Sequence, residues 1–243
     1  MIRFALASAA LAVSAPAMAK VSENSSSGFV IQLGIDVPAD PDRTWAELIV
    51  PRGWWSADHT FSSDAANLSL EPRAGGCFCE VLPSKVSPNA APRGSVEHMR
   101  VIYAEEPRAL RMTGALGPLQ AGAGAGTLTI ILKPQEEGTR VLWEYAYGGY
   151  VRGDVPAMAK AVDGVLAEQL LALGTALGAQ AGEESPDEMT EEPAPNQSGS
   201  DFLREMQAGI GEAKQSESDS PPRPGLSETP PDKAVNDQGF VGR

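Results

Sequence analysis

The side chains from which this chain could build a chemical site are few: two histidines, two cysteines and a set of aromatics. Histidine is the first group to consider for proton transfer near neutral pH. His59 follows closely on Trp54 and Trp55, and His98 sits in a strand-like run. Neither falls in a spacing that builds a site, since the sequence has no His-Glu-x-x-His, no His-x-His and no Gly-x-Ser-x-Gly. No metal site, cofactor or catalytic constellation is assigned on this basis, and a strand histidine satisfied by its neighbours is the plainer reading of both.

Cys77 and Cys79 share one face of a strand. In a regular strand their Cα atoms lie about 6.6 Å apart with parallel Cβ vectors, whereas a disulfide brings Cβ atoms to roughly 3.5–4.5 Å. Buried thiols, a strained bridge on a kinked strand (Gly75-Gly76 allows a kink) and a soft-metal pair are the three readings, and the buried thiols come first. The run Gly122-Ala123-Gly124-Ala125-Gly126 looks like a phosphate-cradling loop, but it precedes a strand instead of opening a helix. It reads as a turning loop or a lid. From Thr139, Val141, Trp143, Tyr145 and Tyr147 take one face and Leu142, Glu144 and Ala146 the other. Tyrosine and tryptophan combine large apolar area with one polar tip, which suits an amphipathic ligand as well as a plain core. Glu80 and Arg100 are further polar candidates on neighbouring strands.

The elements that must position these residues follow from periodicity. Phe29, Ile31, Leu33, Ile35 and Val37 alternate in a strand over 28–37. Trp45, Leu48 and Ile49 fall at helical spacing after Pro41 and before Pro51, and 53–59 reads as a second short helix or irregular turn. Six strands follow, at 67–71, 77–82, 95–104, 109–113, 127–133 and 139–147, separated by Gly, Pro and acidic breaks. Over 157–178 the period becomes helical, with Val162, Val165, Leu166, Leu170, Leu173 and Leu177 in one stripe, Asp154 as N-cap and Gly178 as stop. The expected class is α+β: a seven-stranded antiparallel sheet, in the order β-α-α-β(six)-α, with one face covered by the long C-terminal helix.

The ends differ in character. Residues 181–243 hold 14 acidic and 5 basic side chains, −9 of the chain's −13, and 8 of its 20 prolines. Such a segment cannot bury enough apolar surface to order itself. It reads as a disordered acidic tail, with Phe202, Met206 and Ile210 as a faint amphipathic segment for docking a protein partner. An overall pI near 4.6 argues against nucleic acid as a partner. Arg3, an apolar stretch from Phe4 to Val13 and the triplet Ala17-Met18-Ala19 describe a secretory leader cleaved after Ala19. The sequence holds no stretch of about 20 apolar residues to span a membrane. The expected organisation is a leader at 1–19, a linker at 20–27, one domain at 28–180 and the tail at 181–243, in a periplasmic or secreted protein.

The element order, together with Trp54-Trp55, Glu71-Pro72-Arg73-Ala74-Gly75-Gly76 before Cys77-Phe78-Cys79-Glu80, Pro107-Arg108-Ala109-Leu110 and Gly138-Thr139-Arg140-Val141, resembles the START-like (SRPBCC) superfamily. Its closest branch is that of the chaperone-ATPase activator homologues, also described as polyketide cyclase-like. The resemblance covers residues 28–178 and implies a helix-grip fold, a curved sheet wrapped around the last helix with an apolar cavity between them. With the aromatic strand facing inward, Trp143, Tyr145 and Tyr147 would line that cavity, with Phe78, Trp54 and Trp55 near its mouth and His59 and His98 as further ligand contacts. The expected function is to bind a small hydrophobic or amphipathic ligand. One alternative is a cyclase-, dehydratase- or hydrolase-like enzyme using His59, His98, Glu80 or Tyr145 as acid or base, and another is a chaperone-like interaction module. Fold likeness by itself assigns no single activity.

Overall fold

A computed structural model describes residues 18–179 apart from residue 152. The acidic tail and all but the last two residues of the expected leader lie outside the described residues. The described residues form eight strands and two α-helices: β1 (Met18–Ser25), β2 (Gly28–Val37), α1 (Pro41–Leu48), β3 (Leu68–Leu70), β4 (Cys77–Leu82), β5 (Gly94–Glu105), β6 (Ala109–Gly114), β7 (Ala125–Gln135), β8 (Gly138–Gly148) and α2 (Val155–Ala176). Among the described residues no helix is long and apolar enough to cross a membrane.

The strands form one antiparallel sheet in the order β1-β2-β8-β7-β6-β5-β4-β3. Neighbours in the sheet are neighbours in the chain everywhere except at β2–β8, where Leu33 meets Trp143 and Ile35 meets Val141. The sheet therefore has eight strands where seven were expected. The extra one, β1, occupies the stretch read as a linker, and it pairs Val21 with Ile31. It escapes period-two reading because over residues 21–25 only Val21 is apolar, and it packs against the core. An edge strand held by backbone hydrogen bonds needs little alternation.

Both helices begin as their sequences dictate. The Asp40 carboxylate accepts the Arg43 N–H at 2.8 Å ahead of α1, and that of Asp154 accepts the Ala157 N–H at 3.2 Å ahead of α2. Gly178 follows α2 with φ +88°, a conformation that favours glycine. The segment over 53–59, read as a second short helix or an irregular turn, is no α-helix but lies in a pair of 3-10 turns, Pro51–Gly53 and Ala57–His59. A segment this short, interrupted by Gly53 and Ser56, gains too few hydrogen bonds to nucleate an α-helix.

The face of β2 that carries Phe29, Ile31 and Leu33 lies across from Tyr147, Tyr145 and Trp143 of β8, and α2 packs against β1 and β2. Leu166, Leu170 and Leu173 of α2 are wholly buried, worth roughly 1.5–3 kcal/mol each. That burial, more than helix propensity, holds α2 on the sheet.

Candidate functional site

One strand irregularity creates the site. Along β5, Met99 and Val101 face the interior, and strict alternation would turn His98 to the outside. His98 and Met99 are nevertheless both buried. The pairing with β4 explains this: Phe78 lies opposite Met99 but Cys79 lies opposite Glu97, so His98 is an extra residue with no partner on β4. A bulge of this kind re-aims a side chain, and here it swings the imidazole inward.

There the His98 Nε2 lies 3.0 Å from Oε2 of Glu80, a carboxylate with no exposed surface. The same carboxylate accepts the N–H of Phe61 at 3.0 Å and that of Ser62 at 2.5 Å. Burial alone would raise the Glu80 carboxyl. Hydrogen bonds from Ser62, Phe61 and His98 outweigh burial and hold the carboxyl below its usual range. Burial also lowers His98, against the opposing pull of Glu80. At neutral pH the pair is thus an ionised carboxylate and a neutral imidazole.

The second histidine is also paired to a carboxylate. His59 Nε2 lies 2.9 Å from Glu168 Oε2 of α2, with both side chains partly exposed. Next to Glu168, the buried Gln169 accepts the Ser56 N–H at 2.8 Å and donates to the Val165 carbonyl at 3.3 Å. The segment 55–62 is therefore held at one end by two α2 side chains and at the other by Glu80 of β4.

These anchors frame a cavity of about 390 Å³. The N-terminal half of α2 supplies Met158, Ala161, Val162, Val165 and Leu166 as one wall, and the turn Leu116–Leu119 supplies a second. The third is the held segment, with Trp55, Asp58, His59, Thr60 and Phe61, together with His98 from β5. Among the described residues no lysine or arginine lines it. Among the described residues no group of three His, Cys, Asp or Glu side chains could hold a metal ion.

Of the residues expected to contact a ligand, Trp55, His59 and His98 line this cavity. Phe78 stands behind them, with ring centroids 5.2 Å from Trp55 and 5.1 Å from His98. Trp54 and Trp143 are core residues 6.0 Å apart between centroids. With Phe78 they border a void of only about 20 Å³, room for one water at most. Trp54 also donates its indole N–H to the Glu47 carbonyl at 3.0 Å. Tyr145 and Tyr147 share the inner face but pack with Phe29 and do not line the cavity. The Tyr145 hydroxyl points toward the Leu116 backbone without reaching hydrogen-bond geometry, and burial raises its pKa. The aromatic stripe is thus largely core, because β8 runs through the middle of the sheet while the cavity opens at β5 and the start of α2.

The glycine run has a packing explanation. A Cβ on Gly126 would collide with the Tyr145 ring and hydroxyl, and one on Gly124 with those of Tyr147. These glycines seat two tyrosine ends, and the segment is not a phosphate loop. The cysteines form a disulfide. Their Cα atoms lie 5.3 Å apart, where the register with β5 shifts by one residue between Phe78 and Cys79.

Sequence reasoning did not single out the Leu116–Leu119 turn or the roles of Glu168 and Gln169. Val162, Val165 and Leu166 were legible only as a helical stripe, which reads alike for core and for cavity wall.

Residues 28–178 match the family model described as "Polyketide cyclase / dehydrase and lipid transport". Among solved structures the chain is similar to a protein from Rhodobacter sphaeroides (22% identity, covering 67% of this chain and 99% of that one, TM-score 0.42). It is also similar to CalU16 from Micromonospora echinospora (17% identity, 84% and 99% covered, TM-score 0.41). A protein from Mesorhizobium loti is similar at 16% identity, with 60% and 94% covered and a TM-score of 0.43. No curated protein matches the chain.

Proposed function

The chain belongs to the polyketide cyclase/dehydrase and lipid transport family of the START-like superfamily, and from that premise we propose that it binds a small hydrophobic or amphipathic molecule between α2 and the sheet. The observation that carries this reading is the cavity itself. At about 390 Å³ it lies in the range of small-molecule sites. Its walls are mostly aliphatic and aromatic, with a few polar groups set among them. Apolar area on α2 that would otherwise face water is thus available to a ligand.

Export is part of the proposal. It is supported by Arg3, the apolar stretch after it and the Ala17-Met18-Ala19 triplet. Cell fractionation and the mass of the mature chain test it: an N-terminus at Lys20 is expected, and an uncleaved cytosolic chain would overturn it.

Ligand binding is tested by native mass spectrometry of protein purified from its own cell envelope, followed by denaturing extraction. A co-purifying apolar small molecule is expected, and Val165→Trp, which fills the cavity, should exclude it. Protein that comes out empty and takes up no solvatochromic apolar dye would overturn the reading.

A second reading, a cyclase-, dehydratase- or hydrolase-like enzyme, is favoured by one observation, the buried Glu80 carboxylate that orients a cavity-facing imidazole. Its mark would be turnover that disappears in His98→Phe.

A further inference from the structure

The hydrogen bonds around Glu80 also settle which nitrogen of His98 carries the proton. Both Glu80 oxygens already accept backbone N–H groups, Oε1 from Ser62 and Oε2 from Phe61, as an ionised carboxylate does. An ionised carboxylate has nothing to donate. The 3.0 Å contact therefore requires His98 to donate from Nε2. In a neutral imidazole the other nitrogen, Nδ1, is then a bare acceptor. Nδ1 has no hydrogen bond among the described residues and is not one of the buried orphaned atoms, and the ring belongs to the cavity wall.

Resting on the ligand-binding reading above, we propose that His98 makes the cavity selective for neutral ligands carrying a hydrogen-bond donor, a phenol or an alcohol on an apolar body. Such a hydroxyl meets Nδ1, while the apolar body lies against Val162, Val165 and Leu166 of α2. An ether or hydrocarbon of the same shape leaves Nδ1 unpaired. A carboxylate presents lone pairs to a lone pair, with the Glu80 charge behind the ring and, among the described residues, no lysine or arginine on the wall to compensate. Of the other polar side chains of the wall, the Asp58 carboxylate only accepts, the Thr60 hydroxyl gives its proton to the Ala57 carbonyl at 2.8 Å and so presents oxygen lone pairs, and His59 is paired with Glu168 at 2.9 Å.

The test compares three probes of one shape on the full chain near pH 7.5: 2-naphthol, 2-methoxynaphthalene and 2-naphthoate. We expect 2-naphthol to bind about tenfold tighter than the methyl ether, the value of one buried neutral hydrogen bond, and 2-naphthoate to bind weakest. In His98→Phe the ratio of 2-naphthol to methyl ether should fall to about one. Because that variant leaves Glu80 short of a partner, a second measurement uses the wild-type protein. Long-range proton–nitrogen NMR should show His98 protonated at Nε2, with the Nδ1 resonance moving on addition of 2-naphthol and not of its ether. Equal binding of 2-naphthol and its ether, a preference for 2-naphthoate, or an Nδ1-protonated ring would overturn the inference while leaving the cavity reading intact. Failure of all three probes to bind would overturn both.

Discussion

Cys77 and Cys79 are bridged across a single residue with Cα atoms 5.3 Å apart, and the strand opposite them is longer by one residue, His98. A regular strand would separate those Cα atoms by about 6.6 Å. The bridge thus shortens β4 where β5 carries its surplus, and the two irregularities accommodate each other. A covalent link on the outer face is coupled in this way to the aim of a histidine on the inner one.

Replacing both cysteines by serine tests that coupling. The closed loop is so short that its removal should cost only about 1–2 kcal/mol of global stability. The local effect should be larger, with amide exchange of residues 97–101 accelerated and the His98 ring resonances displaced. Exchange unchanged around His98 would show that the bulge stands without the bridge.

Glu80 joins β4 to the segment 60–62 and to His98. Glu80→Ala removes the acceptor of two part-buried backbone N–H groups and leaves the buried imidazole without its partner, at an expected cost of about 2–4 kcal/mol. Urea unfolding measures it, and a loss under about 1 kcal/mol would mean that the segment is held by packing alone.

Acid should unfold the protein in stages. His98, lowered from 6.5, stays neutral in the fold while the unfolded chain takes up a proton, so stability is full above pH 6.5 and declines below it. Glu80, lowered from 4.5, adds a further loss as the pH falls below 4.5 through its folded value. Glu105, held at about 2 by Arg108 and Tyr103, acts in the same direction there. Asp163, raised by burial, acts in the opposite sense and blunts the lower stage. Urea midpoints at a series of pH values would read this out, and midpoints level from pH 7 to pH 5 would contradict the His98 assignment.

Gly126→Ala and Gly124→Ala place a methyl group on the ends of Tyr145 and Tyr147. Both should destabilise by about 1–3 kcal/mol through overpacking. Gly126 should be the more costly, because both it and Tyr145 are fully enclosed whereas Gly124 is only half-buried. Thermal melts decide this, and a Gly126→Ala protein as stable as wild type would remove the packing account of the glycine run. A phosphate-loop role would instead predict loss of binding without loss of stability.

Much of the fold was legible because it is written in local periodicities. β2 and β8 show alternation over ten or more residues, α2 shows its stripe, and Asp40 and Asp154 cap the helices that follow them, each a signal carried by residues close in sequence. The shared inward face of Val141, Trp143, Tyr145 and Tyr147 was determined in the same way. β1 was not legible, because an edge strand held by backbone hydrogen bonds leaves no side-chain pattern.

The site belonged to tertiary structure. A period of two says which residues share a face, but one inserted residue reverses that answer, and the bulge at His98 is visible only in the pairing of β4 with β5. Glu80 and His98 are 18 residues apart, and nothing local to either announces the other. Which part of the inner face becomes cavity and which becomes core depends on where α2 lies across the sheet. So Trp143, Tyr145 and Tyr147 are enclosed while Trp55, His59 and His98 meet open space. Sequence determines the faces because side-chain direction follows from backbone period; only the packing of one element on another decides where those faces fail to touch.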